Sequence, residues 1–219
     1  MSDRSVEDHL RQEYFDLLPE IRRVAEQLET EVRHSLLPIS LKLDKHEQVI
    51  VTRRIKECTS AIDSLRRRQE AGTFQTDPPK DYRLRSLPDL AGVRVVAFPR
   101  SRVTEIDREL RKRFPKWESD PVLSDEKHAE PLAFKYHGYC EEASGEVRGE
   151  LQIMSLLTAR FWEVEHSTVY KPAPALERVA RSREMRRYTN DVLRALRVFE
   201  EEFERLIRLD PATGDKKQP

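Results

Sequence analysis

Cysteine is nearly absent from this chain. Cys58 and Cys140 are the two present, far apart and without C-x-x-C spacing. That excludes a thiolate zinc site and suggests a reducing compartment. His9, His34, His46 and His128 show no metal-ligand spacing either. No run of about 18 apolar residues occurs, the length a membrane span needs. The start, Met1-Ser2-Asp3-Arg4, carries no apolar leader core, so a soluble, cytoplasmic protein is expected. Net charge is also missing, with 40 Lys+Arg against 40 Asp+Glu. Global charge therefore favours neither nucleic acid nor membrane, and any phosphate-binding surface must be a local patch. There is no internal repeat and no low-complexity stretch.

What is present is periodicity. Charged and hydrophobic residues are each 37% of the 219 residues, a polar balance, yet the apolar positions recur regularly, which argues against disorder. Leu10, Tyr14, Leu17 and Leu18, then Ile21, Val24, Leu28, Val32 and Leu36, mark amphipathic helix over 5–36. Pro19 should break or kink it and Pro38 should end it. A second helix is expected from about 48 to 68, with sparse apolar positions (Val51, Ile55, Ile62, Leu65) and a polar face rich in Arg53, Arg54, Lys56, Arg66, Arg67 and Arg68. That face reads as solvated surface or as a polyphosphate cradle. Residues 71–79 have loop composition.

A β-branched run over 89–98, flanked by Pro88 and Pro99, predicts a strand. A helix should follow from Ser101, with Val103, Ile106, Leu110 and Phe114 as its stripe. A second strand is expected over 117–122, a charged loop over 125–131, an aromatic-rich segment over 132–140, and an alternating strand over 147–154. Helix is expected over 155–168, and a long amphipathic helix over 175–209 with Tyr188, Val192, Leu196, Phe199, Phe203 and Leu206 as its stripe. A stripe that long has to be covered by the core or by another subunit.

Two stretches concentrate the chemistry. Asp89-Leu90-Ala91-Gly92-Val93-Arg94 opens one strand and Gly149-Glu150-Leu151-Gln152-Ile153-Met154 the other. Two carboxylates brought together on neighbouring strands suit Mg²⁺ and a phosphorylated substrate. Strict alternation sets Asp89 and Arg94 on opposite faces unless a bulge at Gly92 intervenes.

In their order these motifs resemble the synthetase domain of the RelA/SpoT family, over roughly residues 17–172. Arg54-Ile55-Lys56 with Ser60 resembles its R-x-K-x-x-x-S helix, and the Asp89 stretch its D-[LI]-A-G-[IV]-R strand. Glu150-Leu151-Gln152-Ile153 resembles its E-[IL]-Q-[IF]-R-T strand, and Glu165-His166 with Tyr170-Lys171 its closing motif. The resemblance implies an α+β, nucleotidyltransferase-like fold, with a mixed sheet of about five strands flanked by helices. It divides the chain into a helical part over 1–72, an α/β core over 80–172, a C-terminal helix over 173–209 and a disordered tail over 210–219.

It also implies an ATP-dependent pyrophosphokinase that makes (p)ppGpp by transfer to the 3′ hydroxyl of GDP or GTP. Asp89 and Glu150 would hold Mg²⁺, with Glu150 also the base. Arg54, Lys56, Ser60, Arg94 and Lys171 would bind ATP and its phosphates, Tyr136 would stack on the acceptor base, and Gln152, Glu165 and His166 would support. Small members of the family self-associate through terminal helices.

The chain departs from the family pattern at Met154, where an arginine is usual, and at Gly138 and Cys140 in the acceptor segment. Two alternatives therefore stay open. One is a toxin-type enzyme that modifies the 3′ CCA end of tRNA and is paired with an antitoxin. The other is an inactive domain that binds nucleotide or a partner.

Overall fold

The computed structural model describes residues 3–72, 82–123, 131–140, 145–170 and 172–209. The expected loops over 73–79 and 125–130, Lys171, and the tail over 210–219 lie outside the described residues. The architecture is α+β: a five-stranded mixed sheet in the order β1-β2-β5-β4-β3, with helices on both faces.

Helix α1 (Asp3–Ser40) runs through both prolines. Leu10, Tyr14, Leu17, Ile21, Val24, Leu28, Val32 and Leu36 are all buried along one stripe. A proline inside a helix costs about 3 kcal/mol, while each buried aliphatic side chain contributes about 1.5–3 kcal/mol. The stripe therefore wins, and exposed Pro19 and Pro38 are absorbed.

The expected helix from 48 divides in two. Residues Gln48–Ile55 form strand β1, and helix α2 (Cys58–Glu70) begins only after it. Val49, Ile50, Val51 and Thr52 are β-branched and crowd the preceding turn of a helix. As a strand, the segment pairs antiparallel with all of β2 (Ala91–Phe98), from Gln48 opposite Phe98 to Ile55 opposite Ala91. Helix α3 (Arg100–Arg113) then crosses the sheet with Val103, Ile106 and Leu110 buried.

Strand β3 (Glu118–Ser119) is short, and the aromatic segment forms β4 (Ala133–Gly138). Strand β5 (Gly149–Ser155) lies parallel to β2 and antiparallel to β4. Gly138 has a reason to lack a side chain, because a Cβ there would sit 2.5 Å from the Trp117 indole. Cys140 is buried core, and burial pushes its thiol up to about 11.

Helix α4 (Leu156–Glu165) starts at Ser155, whose side chain caps it by accepting from the Thr158 amide at 3.1 Å. A π-helical turn (His166–Tyr170) and the short α5 (Glu177–Ala180) lead to α6 (Arg183–Leu209). The single stripe expected on α6 splits in two. Leu196 and Phe203 turn toward the core, whereas Tyr188, Val192, Phe199 and Leu206 are exposed.

Candidate active site

Register decides which side chains meet. One face of the sheet packs on α1 and α3 through Val93, Val95, Leu151, Ile153 and Tyr136. The alternate residues fall on the other face in three rows. The first row reads Arg54, Gly92, Glu150, His137 and Glu118 across the strands. The second reads Thr52, Arg94, Gln152 and Lys135, and the third Ile50, Val96, Met154 and Ala133. The third row is apolar because α4 covers that end, with Ala159, Leu156 and Trp162 packed on Val96, Ala133 and Met154. Met154 is therefore a shelf under α4 and not a cation on the site.

Two carboxylates lie at the first row, Glu150 within it on β5 and Asp89 at the turn into β2. Asp89 sits in the turn just before β2 and not on the strand, so the alternation that separated it from Arg94 does not apply. The β1–β2 ladder continues one step, with the Lys56 amide donating to the Leu90 carbonyl at 2.9 Å. That step sets the Lys56 ammonium on Asp89 Oδ2, where it donates. Asp89 Oδ1 is buried without a hydrogen-bond partner.

Burial pushes the Asp89 carboxyl up. Lys56, with Arg54 and Arg68 further off, outweighs burial and holds it below the usual carboxylate range. Burial presses the Lys56 pKa down, while Asp89 and then Glu150 pull it back. Glu150 is itself buried, and its Oε2 accepts from Gln152 Nε2 at 2.6 Å. The Gln152 carbonyl oxygen accepts from Arg94 Nε at 3.2 Å, so one amide bridges the cation to the acid. Gly92 fits closely beside them: a Cβ there would sit 3.0 Å from the Glu150 carbonyl oxygen, so the two strands would have to part by a few tenths of an ångström to take one.

A cleft of about 240 Å³ opens between β1 and α4, lined by Ile50, Thr52, Arg53, Arg54, Arg94, Val96, Leu156, Ala159, Arg160 and Glu163. Its lining combines apolar Ile50, Val96, Leu156 and Ala159 with four guanidinium groups. Burial and then the charge of Arg54 press the Arg94 pKa down. Glu163 offsets this only in part, at 3.9 Å from Arg94, because it also pairs with Arg160 at 2.8 Å. A cation cluster of this kind, with Arg94 partly desolvated at its base, favours an anionic ligand.

The remaining expected residues fall as follows. Arg54 lies on β1 and Lys56 on the connector, so the expected R-x-K helix is a strand end. Ser60 is half-buried in α2. Arg66, expected near the site, pairs instead with Glu7 of α1 at 2.5 Å. Glu165 ends α4 half-buried, its carboxyl raised by burial, and His166 follows it, exposed.

The stacking role of Tyr136 is corrected. Tyr136 pairs with Leu151 on the closed face and is 5% exposed. Its hydroxyl donates to Asp107 and accepts from Arg111 Nε at 2.7 Å. Its ring offers no face to a base. The residues that share Glu150's face from β4 are Lys135 and His137, and His137 Nδ1 is buried without a partner. Two residues past His137, Tyr139 is 52% exposed with the Arg148 guanidinium 5.9 Å from its ring centre. Sequence alone carried no signal for these beyond the Lys-Tyr-His alternation, since cross-strand register is not local information.

No protein-family model matches the chain, and no curated relative matches it. Solved structures do match. The small alarmone synthetase 1 of Bacillus subtilis aligns with TM-score 0.62 at 16% identity, over 91% of this chain and 100% of that one. The same enzyme bound to its product pppGpp aligns with TM-score 0.61 at 19% identity, over 89% and 96%. A GTP pyrophosphokinase family protein of Streptococcus pneumoniae aligns with TM-score 0.58 at 19% identity, over 89% and 92%. The fold is that of the small alarmone synthetases. Among the described residues no helix is long and apolar enough to cross a membrane.

Proposed function

We propose that this chain transfers pyrophosphate from ATP to the 3′ hydroxyl of a guanine nucleotide. The observation that carries the reading is the first row of the open sheet face. Buried Glu150 in that row and half-buried Asp89 at the turn into β2 both act on Lys56, with Arg54 and Arg94 alongside, on a fold shared with a synthetase crystallised with pppGpp.

The partnerless Oδ1 of Asp89, and an all-oxygen donor pair with Glu150, fit Mg²⁺. Such an ion would neutralise charge on the polyphosphate. The side chains supply the rest. Arg54, Arg94 and Arg160 bind the donor's phosphates and its base in the β1–α4 cleft, since guanidinium groups both chelate phosphate and stack on rings. Lys56 screens Asp89 and lies toward the same phosphates. Glu150, oriented by Gln152, accepts the proton of the acceptor hydroxyl as its oxygen attacks the β-phosphorus. That new P–O bond replaces the bond to the α-phosphate oxygen, and AMP leaves. Lys135 and His137 face the acceptor's phosphates, and Tyr139 offers its base a ring.

The test is a transfer assay with β-labelled ATP and Mg²⁺, offering GDP, GTP and bulk tRNA separately. Label on the guanine nucleotide is expected. Label on tRNA alone would replace this reading with a translation-blocking enzyme, and label on none, with ATP still bound, would make the domain inactive. Tyr139→Ala should raise the acceptor KM about 10-fold or more and leave that for ATP unchanged, in line with a stacking contact of roughly 1–3 kcal/mol.

A further inference from the structure

Arg148 stands just ahead of β5, two residues before Glu150. Alternation sets it on the same open face, about 7 Å along the strand from the candidate base. Its side chain crosses β4 to β3, where Nη2 donates to Glu118 Oε2 at 2.6 Å. On the way the guanidinium passes the Tyr139 ring, 5.9 Å from its centre. One arginine thus spans the side of the open face that Lys135 and His137 occupy.

The bridge is half made. The Arg148 side chain is 24% exposed, and its Nε is buried without a hydrogen-bond partner. Glu118 reaches Nη2 alone, although the guanidinium fork suits an anion that takes two nitrogens at once. The Glu118 side chain is 74% exposed and sits on a strand of two residues. Arg148 holds its carboxyl below the usual carboxylate range, so it is ionised at neutral pH. Water screens so exposed a pair, which therefore adds little to stability. A second partnerless nitrogen lies beside it. His137 Nδ1 is buried, on the residue that pairs with Glu118 on one side and Glu150 on the other. These nitrogens ask for an anion with more oxygens than Glu118 supplies.

We propose, on the reading that a guanine nucleotide is the acceptor, that Arg148 seats a phosphate of the acceptor's 5′ chain and that Glu118 fills this seat until the phosphate displaces it. A phosphate chelates Nε and Nη2 together, the contact for which arginine is suited and lysine is not. Glu118 makes the seat selective. A phosphodiester at an RNA end carries one negative charge, as the carboxylate does, and gains little by the exchange. A terminal phosphate carries roughly two charges near neutral pH and gains more. The displaced carboxylate moves into water it already touches. The pair therefore favours a free nucleoside di- or triphosphate over an RNA 3′ terminus.

Calorimetry on the full chain tests this, with the donor cleft filled by a non-hydrolysable ATP analogue and with GDP, guanosine and inorganic pyrophosphate as probes. Arg148→Gln should weaken GDP and pyrophosphate about 10-fold or more and leave guanosine unchanged. Arg148→Lys, which keeps the charge and the stem, should still weaken GDP several-fold, because it cannot chelate. Glu118→Gln should tighten GDP and pyrophosphate about 3-fold with the melting temperature unchanged, and should narrow the preference for GDP over an RNA 3′ end in transfer. GDP binding that is unchanged or weaker in Glu118→Gln overturns the proposal. So does an Arg148→Gln chain that loses guanosine as much as GDP, since Arg148 would then serve the Tyr139 ring and no phosphate. If wild type binds neither guanosine nor GDP while pyrophosphate still answers to both variants, the guanine reading fails and the phosphate seat stands. If GDP is the acceptor but its affinity ignores Arg148, the seat fails and the guanine reading stands.

Discussion

The two faces of the sheet are made by the same strands and have opposite characters. On the closed face, Val93, Val95, Leu151, Ile153 and Tyr136 meet α1 and α3 with almost no polar atom unspent. On the open face, one residue along, stand Arg94, Glu150, Gln152, Lys135 and His137, and there Asp89 Oδ1 and His137 Nδ1 are buried without partners. A buried polar atom with no partner costs roughly 1–3 kcal/mol. The closed face supplies the surplus that lets the open face hold such atoms for a ligand. Fold and chemistry are thus interleaved with a period of two residues, and the third apolar row under α4 marks where the open face ends.

The sharpest way to break this division is Glu150→Gln. The amide keeps the shape and the bond to Gln152 but loses the charge and the base. Transfer should fall at least 10³-fold, about 4 kcal/mol of transition-state stabilisation, while the melting temperature moves by no more than about 2 °C. Substantial residual transfer would remove Glu150 from the chemistry.

The opposite change is Leu28→Ala on α1, a side chain that is fully buried beneath the sheet. It should cost about 2–5 kcal/mol of stability. The kcat of the folded fraction should stay within about 2-fold of wild type. A large loss of kcat with an intact melting curve would mean that the two faces are not separable.

The same interleaving explains what could be read from sequence. Long periodic segments were legible: α1, α3 and α6, and the β2 and β5 runs, with Asp89 just ahead of the first and Glu150 on the second. Residues 48–55 were not, because the successive cations Arg53 and Arg54 blur the alternation of β1: Arg53 pairs with Glu26 of α1 at 2.7 Å, and both reach the cleft. Tyr136 was assigned to the site and His137 was not, though they are neighbours. Only pairing with Leu151 and Glu150 on β5 separates them. Lys56 was expected on a helix for phosphates, and its contact with Asp89 depends on a β1–β2 ladder that no local pattern reports.

A smaller effect tests whether the covered side of α6 is as dry as the closed face. Glu200 is fully buried, and neither carboxylate oxygen has a hydrogen-bond partner. The nearby Ser155 hydroxyl donates to Thr158 at 3.0 Å instead. Burial pushes its carboxyl up to about 7, with Glu204 and Glu201 adding to the rise and Ser155 and Arg100 opposing it. A raised acid favours the folded state only while protonated. The docking of α6 should therefore be firmest below about pH 4.5 and weaken as pH climbs to about 7. Glu200→Gln should raise stability above pH 7 by an amount on the order of 1–3 kcal/mol and change little near pH 4.5. A difference between the two chains that stays flat from pH 4.5 to 8 would show that Glu200 keeps a partner when ionised.

The smallest effect falls on the residue that lies closest to the boundary between the faces. Tyr136→Phe keeps the ring among the closed-face residues and removes the hydroxyl that joins Asp107 to Arg111. Those two remain within 2.9 Å of each other, so the ion pair survives and only the hydroxyl's two hydrogen bonds are lost. About 1 kcal/mol of stability should go with them, and the phenol's own titration, pushed up to about 12, leaves neutral pH untouched. The KM for either substrate should not move. An acceptor KM raised several-fold by Tyr136→Phe, with stability unchanged, would put the phenol on the open face and reverse the register of β4 on which the assignment of Lys135 and His137 rests.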